Sequence, residues 1–229
     1  MWCSAGWLGV LLLGCSACAS EPSKIALSVP PTRAAAGQPL AANREGPVSG
    51  ARRIHVGVGG VLLDGQSVAG RGVASQIQGD NQVVLSADAE TPFGSVNEVI
   101  SELLTSNKLA IAMVIGGRVQ DVKLGKRYLG VQHEPALLIM VVAAGISLKA
   151  PGGNVAPGCE GPGGGIAIPR AGEAQNYAAA SACISRIKVA VDIWVYHLAA
   201  DAKIPFREVD ATVSALNSGG GQLVGIRVF

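Results

Sequence analysis

Two aspartates at equivalent places in the sequence are the first candidates for chemistry. Asp88 and Asp201 each follow an apolar run and precede a proline by four residues, in the segments 87–93 and 200–206. In both segments we expect the carboxylate to accept backbone N–H groups at the start of the helix that follows. Two other roles remain open, namely contact with a protein partner and acid–base catalysis by the pair.

The five cysteines form two groups. Cys3, Cys15 and Cys18 lie within the first 20 residues, whereas Cys159 and Cys183 lie in the body of the chain. The second group predicts a disulfide that closes a 24-residue loop, worth about 3 kcal/mol in the chain-entropy description. A zinc pair and a catalytic thiol are the alternatives, although no histidine or cysteine stands at metal-ligand spacing from either residue.

The sequence lacks the common catalytic and cofactor-binding motifs. His55, His133 and His197 stand apart in sequence from any cysteine or second histidine. For His197, which alternates with Trp194, Tyr196 and Leu198, we expect a position in solvent or a core hydrogen bond rather than a bound metal. Residues 57–60 are too few for a dinucleotide fingerprint, and no P-loop, serine nucleophile elbow or HExxH motif occurs. The sequence therefore predicts a protein that is not an enzyme, with no catalytic residue, metal or cofactor.

Composition excludes further classes of function. The chain has 18 Lys+Arg against 16 Asp+Glu, a net charge of +2 that argues against a nucleic-acid partner. Aromatic residues make up 4%, too few for sugar-stacking or base-stacking sites. Apolar residues make up 49%, which is ample for a packed core.

The N-terminus resembles an export signal. Residues 1–20 carry no charge, and their apolar centre at 7–13 has the length of a signal-peptide h-region rather than of a membrane span. The Leu-Leu-Gly-Cys run that ends at Cys15 resembles a bacterial lipobox and predicts lipidation of Cys15, with Cys18 as the weaker alternative. The other two interpretations of this segment are a signal peptide that is cleaved from a secreted protein and a membrane anchor that is retained. All three place the body outside the cytoplasm.

An internal duplication organises the rest of the chain. Between Ala87 and Leu103, 8 of 17 positions recur identically 113 residues later, whereas about one or two would match by chance. Each copy has a β-branched strand before the aspartate, a proline where a helix begins, an apolar stripe at helical spacing and a final strand. Two short strands and a helix precede each copy.

The sequence thus predicts an α+β fold with two tandem β-β-α-β-α-β modules. The predicted segments are a leader at 1–20, a disordered tether at 21–52, a first module at 53–116, a linker or extra hairpin at 117–135, and a second module at 136–229 with a Gly/Pro-rich insertion at 150–165.

The repeated motif resembles the periplasmic domain of the ExbD/TolR family of biopolymer transport proteins, whose segment reads approximately A-D-x-x-x-P-[YF]-x-x-V before an amphipathic helix. The matching residues are Ala87, Asp88, Pro92, Phe93 and Val96 in the first copy, and Ala200, Asp201, Pro205, Phe206 and Val209 in the second. The resemblance covers about residues 53–115 and 136–229.

The resemblance implies a role in the cell envelope. ExbD/TolR proteins work with ExbB/TolQ-type partners and with TonB- or TolA-like proteins, through a membrane helix whose aspartate couples proton flow. Residues 1–20 contain no aspartate, so the binding role of the module is expected to carry over rather than the motor role. The resemblance also implies pairing or strand capture at sheet edges, with 223–229 as the candidate edge unless its own repeat partner covers it.

These observations predict a periplasmic lipoprotein, anchored in the inner or outer membrane of a Gram-negative-type envelope. Its function would be protein binding or assembly in a transport or energy-transduction complex, as an intrachain pseudo-dimer or a homo-oligomer. The alternative is a transport subunit that retains its leader as a transmembrane helix. A secreted hydrolase that uses Asp88 or Asp201 ranks last.

Overall fold

The structure is a computed structural model, and it describes residues 50–69, 71–77, 82–107, 110–126, 136–150, 159 and 166–228. The predicted leader with the lipidation site Cys15, residues 21–49 of the predicted tether, His133 and most of the predicted insertion at 150–165 lie outside the described residues. The predicted tether extends one residue too far, because Arg52 begins the first strand. The described residues all belong to one unit, Gln38–Phe229. Among them, no helix combines the length and the apolar character that crossing a membrane would require.

The first half begins with alternating apolar residues that pack as strands. Ile54 and Val56 of β1 are buried while their neighbours face outward, as a half-buried strand requires. The elements of this half, in chain order, are β1 Arg52–Gly57, β2 Gly60–Leu63, β3 Gln66–Val68, a 3₁₀ turn at Ala74–Gln76, β4 Val83–Ala87, α1 Phe93–Thr105, β5 Ala110–Ile115 and β6 Arg118–Lys126.

The second half repeats this succession with a full helix in place of the 3₁₀ turn. Asn176 caps that helix, because its side chain accepts the backbone N–H of Ala179. The elements are β7 Leu137–Val142, β8 Gly145–Lys149, β9 Ile166–Pro169, α2 Tyr177–Val191, β10 Val195–Ala200, α3 Phe206–Ser218 and β11 Gln222–Val228.

All the strands described form one mixed sheet, in the order β3-β2-β1-β4-β5-β6-β11-β10-β7-β8-β9. The two halves have the same internal order on opposite sides of β6. β6 runs antiparallel to β5 and parallel to β11, so the two halves run in opposite directions. A two-fold axis perpendicular to the sheet, close to β6, would generate this arrangement.

The helices bury the apolar stripes that the sequence indicates. The buried residues are Phe93, Val96, Val99, Ile100 and Leu103 in α1, and Phe206, Val209, Thr212, Val213 and Leu216 in α3. α1 contacts β6 and β11, and α3 contacts β5, so each helix reaches strands beyond its own half. The buried residues of both halves form one continuous core.

The predicted α+β class agrees with three helices on a large mixed sheet in the described part of the chain. The structure decides between two pairs of alternatives and adds a strand to each half. Of the linker and the extra hairpin expected over 117–135, the described part is the hairpin, because Arg118–Lys126 form β6 and pair with β5. Each half has a third strand, β3 or β9, that the six-element module prediction does not include. β11 is not an edge, because β6 and β10 pair with it on both sides.

Candidate functional site

The two copies of the repeated motif meet each other. Pro92 and Pro205 form an antiparallel bridge where α1 and α3 begin. Phe93 N–H donates to the carbonyl of Ile204 at 2.8 Å, and Phe206 N–H donates to the carbonyl of Thr91 at 2.8 Å. The two bonds are equivalent, because Phe93 corresponds to Phe206 and Thr91 corresponds to Ile204 at the repeat offset of 113.

A second pair of bonds extends the contact. Gly94 N–H donates to the Ala202 carbonyl at 2.9 Å, and Arg207 N–H donates to the Ala89 carbonyl at 2.9 Å. The first N–H groups of a helix lack partners within their own helix. Here they bond to the other copy of the motif, so the four hydrogen bonds join the halves with two-fold symmetry.

The contact between the copies is close. A Cβ on Gly94 would lie 3.0 Å from the Ala202 Cβ, which is tighter than ordinary packing. At the equivalent position of the other copy, Arg207 extends its side chain outward and pairs with Glu90. The contact is therefore symmetric in its backbone and different in its side chains.

The apolar members of the motif belong to the core. Phe93 and Phe206 are buried, and each anchors the start of its helix, α1 or α3, in the core. Ala87, Val96, Ala200 and Val209 are buried as well. The recurring residues therefore specify how each strand turns into its helix and how the helix sits on the sheet.

The two aspartates have different surroundings, and the expected helix capping is wrong for both. The residues before α1 and α3, Pro92 and Pro205, have no side-chain cap. The Asp88 carboxylate instead lies 3.0 Å from His55 Nε2, whereas Asp201 is exposed. Only the backbone bonds are shared, since Asp88 N–H donates to Val56 and Asp201 N–H donates to Val141.

His55 contacts two polar side chains that its position in the sequence does not indicate. Its Nδ1 lies 3.0 Å from Ser86 Oγ, and its Nε2 lies 3.0 Å from Asp88 Oδ1. His55 and Ser86 are register partners on the parallel strands β1 and β4. Sequence reasoning missed Ser86 because the pairing of strands 31 residues apart is a tertiary property. In the other described histidine, His197, the Nε2 atom lies 3.3 Å from Arg227 Nη2.

A partly buried ion pair joins two segments of the second half. The two terminal guanidinium nitrogens of Arg170, Nη1 and Nη2, donate to the Glu208 carboxylate at 2.9 and 3.0 Å. Gln175 Nε2 donates to the same carboxylate at 3.0 Å. The hydrogen bond from Arg170 is the main reason that the pKa of Glu208 lies below its ordinary value. This cluster ties the segment between β9 and α2 to the first turn of α3.

A partly buried carboxylate, that of Asp210, joins the two halves at a second place. Asp210 of α3 accepts the backbone N–H of Gly116, in the turn between β5 and β6, at 2.7 Å. Burial raises the pKa of Asp210, against the lowering effect of the backbone N–H groups of Gly116 and Gly117. The equivalent position in α1 is Asn97.

Cys159 and Cys183 form a disulfide, with their Cα atoms 5.6 Å apart. The bond fixes Cys159 against the buried side of α2. Within the described ranges, no group of three or more His, Cys, Asp or Glu side chains converges as a metal site would require.

A scan against models of known protein families gives no match, and a search of curated protein sequences gives none. The resemblance to the ExbD/TolR periplasmic domain therefore depends on the motif residues of the chain itself.

Proposed function

We propose that this chain is a binding or assembly protein of the cell envelope, in which two ExbD/TolR-like modules are fused as an intrachain pseudo-dimer. The observation that carries the proposal is the symmetric pairing of the two motif copies, Phe93 to Ile204 and Phe206 to Thr91. Two copies that served separate tasks would not need to meet through equivalent backbone atoms. A fused pair fixes the relative position of two related surfaces without depending on protein concentration.

The most accessible docking element of this pair is a sheet edge. In the described part of the sheet, β3 and β9 are the edge strands, so a partner strand would add there and not at β11. β9 ends in Pro169, which has no N–H to offer a partner and thereby protects that edge. The proposal accordingly assigns strand addition to β3, Gln66–Val68.

The remaining parts of the proposal come from the sequence. Lipidation at Cys15 and a tether over 21–52 would hold the pair at a periplasmic membrane surface, within reach of ExbB/TolQ- or TonB/TolA-like proteins. The binding role carries over from the family resemblance, whereas residues 1–20 lack the aspartate that a proton-coupled motor would need.

Affinity capture with full-length tagged protein from solubilised envelope tests the binding role. Ser67→Lys places a charge on the β3 edge, and Ser185→Lys places the same charge on the exposed surface of α2. We expect a partner that the wild type and Ser185→Lys both capture and that Ser67→Lys loses at least tenfold. Equal capture by all three proteins would reject the β3 edge, and capture of no protein would reject the binding role.

The alternative is a transport subunit with a retained transmembrane leader. Mass spectrometry of the mature N-terminus separates the two, because an acylated Cys15 excludes retention and an intact Met1 excludes the lipoprotein.

A further inference from the structure

Ser86, His55 and Asp88 form a linear hydrogen-bonded array on the sheet. His55 Nδ1 lies 3.0 Å from Ser86 Oγ, and His55 Nε2 lies 3.0 Å from Asp88 Oδ1. The array sits at the carboxyl ends of the parallel strands β1 and β4. In this order, the hydroxyl can act as a nucleophile, the imidazole as its base and the carboxylate as the group that orients the base.

The carboxylate decides which imidazole nitrogen carries the proton. An ionised Asp88 can only accept hydrogen bonds, so Nε2 of a neutral His55 must be the N–H donor. Nδ1 then carries the lone pair that faces the Ser86 hydroxyl, and it can take the hydroxyl proton. The Ile54 carbonyl competes for that proton at 3.3 Å, a longer distance than the 3.0 Å to Nδ1.

Comparison of the two halves indicates that the fold does not require this array. The register pairs Ile54 with Leu85 in the first half and Ile139 with Leu198 in the second. His55 and Ser86 therefore correspond to Met140 and Ala199, and Asp88 corresponds to Asp201. The second half builds the same strand pair with a thioether and a methyl group, so the strand pairing itself does not explain the polar residues of the first half.

The array is open to reagents from outside. The side chains of His55 and Asp88 are 34% and 39% exposed. They lie on the side of the sheet opposite to the buried Ile54 and Leu85, which face the core. Ser86 is itself partly exposed, and a substrate would approach its Oγ from this side, away from the core.

We propose that Ser86 is a nucleophile towards carboxylic esters, with His55 as its general base and Asp88 as the residue that positions His55. The Ser86 oxygen forms a bond to the ester carbonyl carbon while its proton passes to His55 Nδ1. The C–O bond to the leaving alcohol breaks, and the alcohol takes the proton from His55. Water, deprotonated by His55, then adds to the carbonyl carbon of the acyl–Ser86 ester, the bond to Ser86 Oγ breaks, His55 Nδ1 returns the proton to Ser86 Oγ, and the acid is released.

The expected acceleration is modest. General-base assistance contributes about 10²- to 10⁴-fold, and the oxyanion on this exposed surface is solvated by water. We therefore expect the lower end of that range, about 10²-fold over a variant without the base. This activity goes beyond the proposed binding function and does not depend on it.

Labelling of the full-length protein with a fluorophosphonate tests the nucleophile directly, because the Ser86 oxygen would displace fluoride and keep the phosphonyl group. Mass spectrometry should place one adduct on Ser86, and Ser86→Ala should lose it. Ser147→Ala removes a serine from the same face of the second half and should keep the adduct. An intact wild-type protein without an adduct on Ser86 would overturn the proposal.

Hydrolysis of p-nitrophenyl acetate tests the other two residues. His55→Met introduces the residue that the second half already carries, so the variant should fold and lose about 10²-fold in kcat. Asp88→Asn should lower kcat with KM unchanged, because the amide can donate to Nε2 and so place the proton on Nδ1. Unchanged turnover in folded His55→Met would show that the array only joins β1 to β4.

Discussion

Pro92 and Pro205 face each other in an antiparallel bridge, although 113 residues separate them. Each proline lies just before a helix and lacks an N–H, so the residues on either side make the bonds to the other copy. The bridge brings the starts of α1 and α3 together and makes the two halves one folding unit. Its symmetry is the main structural support for a fused pair of related modules.

The first prediction concerns the close approach at the bridge. Gly94→Val should destabilise the fold by about 1–3 kcal/mol, because its added methyl groups would overlap Ala202. Arg207→Val at the equivalent position is the control, since a side chain already extends outward there. Urea denaturation followed by circular dichroism measures both. Equal stability of the two variants would contradict the geometry of the bridge.

The second prediction concerns the partly buried ion pair of Arg170 and Glu208. Glu208→Gln should cost about 1–3 kcal/mol at pH 7, because Glu208 is 13% exposed and accepts two bonds from Arg170. The pKa of Glu208 is lowered in the fold, so its contribution is complete above pH 4.5 and is lost as the pH falls through the lowered pKa. Thermal unfolding between pH 2 and pH 7 should show the variant and wild type converging in acid.

The exposed pair of Glu90 and Arg207 is the control for that experiment. Glu90 is 66% exposed, and surface ion pairs contribute little. Glu90→Gln should therefore leave the melting temperature unchanged across the same pH range. A loss in Glu90→Gln as large as that in Glu208→Gln would mean that burial of the pair is not the cause.

The third prediction concerns Asp210, whose contribution to stability depends on pH in the opposite direction to that of Glu208. Burial raises the pKa of Asp210, so its contribution to stability is complete below pH 3.8 and is lost as the pH rises through the raised pKa. Asp210→Asn keeps an oxygen acceptor for Gly116 and should be at least as stable as wild type at pH 7, with the difference vanishing in acid. Asp210→Ala removes the acceptor and should lose about 1–2 kcal/mol. A less stable Asp210→Asn at pH 7 would contradict this reading.

The fourth prediction concerns the disulfide. A tryptic digest without reductant should contain peptides 150–170 and 171–186 joined through Cys159 and Cys183. Replacing both cysteines with serine should lower the free energy of unfolding by about 3 kcal/mol. Free thiols on both peptides would show that the bond does not form.

The local features of the fold follow from the sequence, and the long-range ones do not. The apolar stripes that begin at Val96 and Val209 predict α1 and α3 because helical spacing is visible within a dozen residues. The strand β6 is rich in charged residues, and nothing local shows that it lies between β5 and β11. Strand order depends on pairings between distant segments, which periodicity does not encode.

In the candidate site, too, the local features follow from the sequence and the long-range contacts do not. The repeat identifies Asp88 and Asp201 as equivalent positions, and their backbone bonds are equivalent. The difference between them comes from His55, whose distance from Asp88 depends on the register of β1 against β4. An expectation that β1 and β4 pair in parallel, with His55 opposite Ser86, would have been the only signal for this array.

Amide hydrogen exchange tests the pairing of the two motif copies most directly. The first N–H groups of a helix ordinarily exchange fast, because nothing within the helix accepts them. The four bonds across the bridge predict slow exchange at Phe93, Gly94, Phe206 and Arg207, lost together when Gly94→Val weakens the contact. Fast exchange at all four amides in a protein whose sheet amides remain protected would contradict the fused pair.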